Sequence, residues 1–185
     1  MPRAATPETF FIRGTVVPDD SAAFVETTID LGSFVNVSDK KAVIMRIHNV
    51  EGEWAAGAGA SGASVEGGYP LMDANTATGA VWQITTQTQS GLVPMNDRSC
   101  VAKGQLWGRN PDGSSNPPST AYSDSHLPQH YSEGYLIATD NIYLGAYAGS
   151  DWAATSNLTF NCQLEVSLET VTQENAVSLA LSQQA

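Results

Sequence analysis

The sequence predicts an all-β protein, a two-sheet sandwich of the jelly-roll type. Apolar residues recur with a period of two in the clearest segments, which is typical of strands with one buried face. The candidate strands are joined by connections of very unequal length, and none of these connections requires a helix. A chain of 185 residues suits one domain and is long enough to bury a core without a disulfide or a metal.

The closing segment NLTFNCQLEVSLETV predicts the longest strand. Its apolar residues occupy every second position: Leu158, Phe160, Cys162, Leu164, Val166 and Leu168. The polar residues between them are expected on the opposite face: Thr159, Asn161, Gln163, Glu165, Ser167 and Glu169. A strand of this kind must be covered by a second sheet, because one sheet alone leaves its apolar row in water.

Seven further segments predict strands because β-branched and aromatic residues fill them and turn residues end them. They are Thr9 to Val17, Ala23 to Leu31, Lys41 to Val50, Ala80 to Thr88, Ser99 to Trp107, Gly134 to Thr139 and Asn141 to Tyr147. This gives an eight-stranded sandwich with two long loops, Gly52 to Gly79 and Gly108 to Glu133.

The two ends of the chain are predicted to lie outside the sandwich. Residues 1–8 have no strand pattern and predict an N-terminal arm, 9–172 the jelly-roll domain, and 173–185 a C-terminal extension. The extension fits either a helix or a strand, and its Ala, Leu, Gln and Glu favour a helix.

Charge excludes several classes of partner. Lys and Arg number 8 against 19 Asp and Glu, which gives a net charge of −11 and opposes contact with a phosphate backbone or an anionic membrane. No segment approaches the roughly 18 apolar residues of a membrane span, and the N-terminus lacks the apolar core of a secretory signal. Acidity with few lysines also resembles proteins of salt-loving organisms, where salt screens self-repulsion.

No motif carries a catalytic signature. The glycines from Gly57 to Gly62 fit GxGxxG but sit in a long loop without a following helix, which predicts a flexible loop. His126 and His130 are four residues apart, yet Pro128 lies between them and a loop pair is predicted rather than a zinc site. His48 is predicted to be a hydrogen-bonded strand histidine.

Two other groups of residues allow more than one interpretation. Glu51 and Glu53 could form a glycosidase dyad or a cation site, or a sugar platform with the adjacent Trp54, and a solvated strand end is favoured. Cys100 and Cys162 are predicted to be core thiols, with a disulfide within or between chains as the alternative. No catalytic, cofactor-binding or metal-ligating residue is therefore predicted.

Three segments together with the acidic, lysine-poor composition resemble a known family. MPRAATPETFFIRG, GYLIATDNIYLGAY and NLTFNCQLEVSLETV are similar to the smaller major capsid protein of icosahedral, internal-membrane viruses of halophilic archaea, the sphaerolipovirus type. The resemblance covers essentially the whole chain as an overall pattern, without an invariant motif. It implies a vertical single jelly roll that associates with itself and with a larger jelly-roll capsid protein.

The resemblance also implies a place in the virion. The chain would be made in the host cytoplasm and assembled into the capsid near the internal membrane, beside other virion proteins. It would contact no nucleic acid directly and bind no small-molecule substrate. The alternative function is a carbohydrate-binding, lectin-like sandwich, which requires at least two of Trp54, Trp82, Trp107 and Trp152 on one exposed face. An enzyme ranks third, because no nucleophile, metal set or phosphate loop is evident.

Overall fold

The computed structural model describes residues 8–18, 22–56, 76–111, 119–150, 152 and 158–184. These residues form nine strands, one short 3₁₀ helix and one α-helix. The strands are β1 (Thr9–Val16), β2 (Phe24–Asp30), β3 (Lys41–Ala56), β4 (Thr76–Thr85), β5 (Cys100–Asn110), β6 (Ser119–His126), β7 (Tyr135–Ile137), β8 (Asn141–Ala148) and β9 (Leu158–Thr172). The 3₁₀ helix is Pro128–His130, and α1 is Gln173–Gln183.

The strands form two antiparallel sheets. The four-stranded sheet has the order β1-β9-β3-β7, and the five-stranded sheet has the order β2-β8-β4-β5-β6. When β6 is set aside, each sheet holds four strands, and the chain passes between the sheets in the double Greek-key order of a jelly roll. The predicted all-β jelly-roll sandwich is therefore confirmed.

The core lies between the sheets and is centred on stacked aromatic rings. The Phe160 ring on β9 stacks on Trp82 of β4 at a centroid distance of 4.7 Å and contacts Trp54 of β3 at 5.1 Å. Gly52 leaves room for this stack, because a Cβ at this position would overlap the Phe160 ring. Two central strands, β9 and β3, pair along nearly their whole lengths.

The predicted register of β9 is correct from Leu158 to Val166, where the apolar residues at every second position are buried. It is wrong for Leu168, which is 37% exposed. The edge strand β1 begins at Thr9, opposite Ser167, so Leu168 lies beyond β1 and has no neighbour on that side. Thr159 and Ser167 were expected to face outward into solvent, but both are buried.

The predicted count of eight strands is also corrected, because β6 lies inside the stretch that was assigned to a loop. Every residue of β6 from Ser119 to Ser125 is exposed, so the strand has no buried face and no apolar alternation to mark it. It is held by backbone pairing to β5 at the edge of the five-stranded sheet. β3 likewise continues to Ala56, and β4 begins at Thr76, so both strands extend into the other predicted loop.

The C-terminal extension is a helix, as its composition favours. Thr172 caps α1 by accepting a hydrogen bond from Asn175 N. On its inner side, Ala176 packs on Ala42 and Ile44 of β3, so α1 covers part of the outer face of the four-stranded sheet. Among the described residues, no helix is long and apolar enough to cross a bilayer.

Candidate functional site

A cleft of about 720 Å³ lies at the β7 edge of the four-stranded sheet. Leu136 of β7 and Leu179 of α1 give it apolar walls, and Arg46 and Arg98 give it positive charge. Gly134 shapes the turn that enters β7, because its φ of 68° is in the left-handed region and a Cβ would overlap Ile47 O. We call this feature the β7 cleft.

One glutamine fixes the helix to the wall of the β7 cleft. Gln183 is 3% exposed, and its Nε2 donates to Leu136 O at 2.6 Å while its Oε1 accepts from Ala138 N at 3.1 Å. The carboxamide thus binds the outer edge of β7 as a neighbouring strand would. The Gln183 carbonyl also accepts from Thr86 Oγ1 at 2.8 Å, which ties the helix end to the other sheet.

The charge of Arg46 is already compensated within the chain. Its Nε and Nη2 donate to the Glu169 carboxylate, the latter at 3.0 Å, and its Nη1 donates to Glu133 O. These bonds raise the pKa of Arg46 and lower that of Glu169. The pair links β3 to β9 on the outer face and leaves Arg46 with little charge to offer a ligand.

Arg98 differs from Arg46, because its side chain is exposed. The neighbouring Asp97 carboxylate accepts from Ser99 N at 2.9 Å and from Ser99 Oγ at 2.6 Å, which lowers the pKa of Asp97. Arg98 itself forms no ion pair or side-chain hydrogen bond within the part of the chain that the structure describes. The β7 cleft therefore has one guanidinium available to a partner.

The outer face of the four-stranded sheet that α1 leaves uncovered is polar. Arg13 Nε donates to Gln163 Oε1 at 3.1 Å. Glu51 of β3 pairs with Gln163 from the other side, so the three residues form one row across the sheet. Glu51 and Glu53 are both exposed on this side, and they border a hollow of about 380 Å³. The prediction that the two carboxylates share one side of an extended chain is confirmed.

The loop between β4 and β5 crosses the outer face of the five-stranded sheet. Three side chains in one row hold it: the Glu26 carboxylate accepts from Gln89 N, Gln83 Nε2 donates to Gly91 O, and Lys103 Nζ donates to Val93 O. Gln83 Oε1 also accepts from Val93 N at 2.9 Å. The loop covers the middle of the sheet and leaves Leu92 and Met95 exposed, at 38% and 53%.

The prediction for His48 is confirmed, whereas the predicted loop pair of His126 and His130 is wrong, because the two residues lie in a strand and a 3₁₀ helix. His48 Nε2 lies 2.8 Å from Ser167 Oγ, so it is a hydrogen-bonded strand histidine. His126 ends β6, and its Nδ1 lies 3.1 Å from the Tyr131 hydroxyl, while His130 belongs to the 3₁₀ helix. Burial lowers the pKa of His126. No group of three or more His, Cys, Asp or Glu in the described ranges could hold a metal ion.

Both cysteines are buried free thiols, as the core-thiol interpretation predicts, and they form no disulfide with each other. Burial raises the pKa of Cys100 to about 11 and that of Cys162 to about 12, so neither is a reactive thiolate near neutral pH. The GxGxxG segment from Gly57 to Gly62 lies outside the described residues.

The tryptophans are distributed mainly in the interior. Trp82 and Trp152 are buried, and the Trp54 indole Nε1 is buried without a partner among the described residues. Trp107 is 53% exposed on the outer face of the five-stranded sheet, where its ring lies against Gly79. The face therefore has one tryptophan, whereas a sugar platform of the kind considered above needs at least two.

Comparisons with known proteins give similarity to solved structures alone, because no family model and no curated protein matches the chain. Merkel cell polyomavirus VP1 in complex with disialyllactose is 10% identical, with a TM-score of 0.44, over 92% of this chain and 98% of that one. Human polyomavirus 12 VP1 in complex with 3′-sialyllactosamine is 11% identical, with a TM-score of 0.43, over 89% and 100%. The unassembled pentamer of Merkel cell polyomavirus VP1 is 9% identical, with a TM-score of 0.45, over 92% and 98%. The jelly-roll assignment rests on the strand order and not on these similarities.

Proposed function

We propose that this chain is a structural capsid subunit, without enzymatic activity, that builds an icosahedral virion by associating with itself and with a larger jelly-roll capsid protein. The observation that carries the proposal is the strand order, β1-β9-β3-β7 against β2-β8-β4-β5, which is a complete jelly roll. Jelly rolls serve mainly as capsid, lectin and cupin domains.

The side chains favour the first of these three uses. A cupin needs a cluster of metal ligands, and none is found among the described residues. A lectin of the kind considered needs paired exposed tryptophans, and the described residues give only Trp107. A capsid subunit needs neither, because its function depends on surfaces that fit neighbouring subunits.

The charge of the chain supports assembly at high salt concentration, as in a virus that infects a halophilic host. With 19 acidic and 8 basic side chains, neighbouring copies repel one another in dilute buffer. Molar salt shortens the Debye length to about 3 Å and removes most of this repulsion. The same charge disfavours direct contact with nucleic acid or an anionic membrane surface, so a position near the internal membrane would depend on other virion proteins.

The N-terminal arm is a further part of the proposal. Residues 1–7 lie outside the described residues, and the exposed Glu8 immediately precedes β1. Eight extended residues reach about 29 Å at most, enough to contact a neighbouring subunit. We expect deletion of residues 1–8 to leave the circular dichroism and melting curve nearly unchanged and to reduce particle formation.

The proposal is tested by electron microscopy of the purified chain in molar salt, alone and after coexpression with the products of adjacent genes. Capsomers or shells that contain this chain and a larger β-rich protein are the expected result. Unfolding on deletion of the arm would assign residues 1–8 to the first strand. Normal particles without the arm would leave assembly to the surfaces of the sandwich.

A further inference from the structure

We infer that the β7 cleft is a docking site for a second copy of this chain, and that the docked surface is the acidic face around Glu51 and Glu53. This inference rests on the proposed function, since it names the contact through which subunits associate. Both halves of the contact are exposed surfaces of described residues.

The chemistry of the β7 cleft specifies a carboxylate next to an apolar group. Arg98 supplies a guanidinium that makes no ion pair with a described residue, whereas Arg46 is occupied by Glu169, and the exposed Glu133 also lines the cleft. Leu136 and Leu179 line the same cleft, and the exposed Tyr131 ring stands at its side. A ligand with only negative charge would leave the apolar walls in water, so a protein surface fits better than a small anion.

The acidic face offers the complementary groups. Glu51 and Glu53 are exposed on the outer face of the four-stranded sheet, and Glu165 lies on the same face. Phe11 of β1 pairs with Glu165, so its ring, 52% exposed, lies in the row of Glu165. This row is adjacent to the row that holds Glu51. The acidic face thus has carboxylates near an aromatic ring. These groups match the guanidinium and the apolar walls of the cleft, respectively.

The two surfaces of one copy cannot satisfy each other. Arg46, at the cleft, and Glu51 lie five residues apart on β3, a spacing of about 16 Å along a strand. This distance exceeds the reach of a glutamate side chain, and the paired strands hold the two surfaces apart. Glu51 of one copy therefore does not reach the cleft of the same copy, and only Glu51 of another molecule can meet Arg98.

The net charge of the chain restricts how two copies can approach each other. At −11 per chain, the approach of two copies is unfavourable unless positive and negative groups meet at the contact. Arg98 is the cation of the cleft that makes no ion pair with a described residue, and the acidic face offers it the carboxylates of Glu51 and Glu53 beside the exposed Phe11 ring. Salt screens partly buried ion pairs at such a contact less than it screens the repulsion between the two chains as a whole.

The test is a charge reversal with rescue, measured by sedimentation velocity at the lowest salt at which the wild type self-associates. Arg98→Glu should weaken self-association about tenfold or more, because it places like charges in the contact. The double variant Glu51→Arg with Glu53→Arg should weaken it similarly. A mixture of the two variants should associate again, since each then offers one matching surface to the other.

The matched control is Arg109→Glu, the same charge change at an exposed arginine on β5. It should leave self-association near the wild-type value, and circular dichroism should show that every variant is folded. If Arg98→Glu behaves like Arg109→Glu, or if the mixture of variants stays dissociated, the inference is overturned while the capsid function stands. If the wild type remains monomeric at every salt concentration and with coexpressed neighbours, both proposals fail.

Discussion

Gln129 and Val50 are joined by two hydrogen bonds between a side chain and the backbone. Val50 N donates to Gln129 Oε1 at 3.1 Å, and Gln129 Nε2 donates to Val50 O at 3.0 Å. β7 stops opposite Ile47, so β3 continues past it with an open edge that the Gln129 carboxamide fills. Gln83 and Gln183 each bind one backbone N–H and one backbone carbonyl in the same way. Gln129 and Gln183 therefore occupy open strand edges, whereas Gln83 holds the loop between β4 and β5 on the face of its sheet.

The Gln183 contact gives a prediction about stability. Gln183→Ala should lower the free energy of unfolding by about 2 kcal/mol or more, because it leaves Ala138 N and Leu136 O without their partner. Urea denaturation is the measurement. The adjacent Gln184→Ala is the control, since that residue is exposed, and a change there is expected within about 0.5 kcal/mol. Equal effects at the two positions would contradict the bridging role.

The aromatic stack gives a second prediction. A Cβ at Gly52 would lie 2.8 Å from Cε2 of Phe160 and closer still to Cζ, so Gly52→Ala must displace the ring between Trp54 and Trp82. We expect a loss of about 1–3 kcal/mol of stability and a change in the near-ultraviolet circular dichroism of the tryptophans.

Gly91→Ala is the matched control for this substitution. A Cβ at Gly91 would meet no atom within 4 Å, so stability should stay within about 0.5 kcal/mol of the wild type. Full retention of stability in Gly52→Ala would show that the core tolerates a shift of Phe160.

The sequence predicted the jelly roll because burial of one face places apolar residues at every second position of β9 and the other core strands. The alternating pattern fails at residues whose burial is decided by a neighbouring strand or a side-chain contact and not by the opposite sheet. Leu168 is exposed because β1 does not reach it, and Ser167 is buried on the outer face, where His48 binds it. β6 had no signal, since an edge strand held by backbone pairing needs no apolar residues.

The functional surfaces were harder to predict than the fold. Nothing in the sequence distinguishes Arg98 from the other arginines, and the structure shows that the carboxylate of the neighbouring Asp97 is bound by Ser99 instead. Gln183 is similarly one glutamine in a polar tail until the helix places it against β7. Glu51 and Glu53 were found from their spacing of two, which in a strand puts both on one side.

The ion pair between Arg46 and Glu169 gives a prediction about pH. The folded state lowers the pKa of Glu169, so the pair contributes stability above the unfolded pKa near 4.3 and loses it as pH falls through the folded value. Glu169→Gln should therefore cost about 1 kcal/mol at neutral pH and much less near pH 3. Urea denaturation of both proteins at the two pH values is the measurement. A difference independent of pH would contradict a contribution from the charge.

We propose that this chain is a subunit that assembles once its self-repulsion is screened by salt. The most direct measurement is sedimentation velocity of the purified chain from dilute buffer to molar salt, with electron microscopy of the fastest-sedimenting fraction. With a net charge of −11, we predict monomers in dilute buffer and oligomers or capsomers in molar salt, together with a rise in melting temperature. A monomer with a constant melting temperature across the whole range, also in the presence of a coexpressed larger capsid protein, would contradict the account.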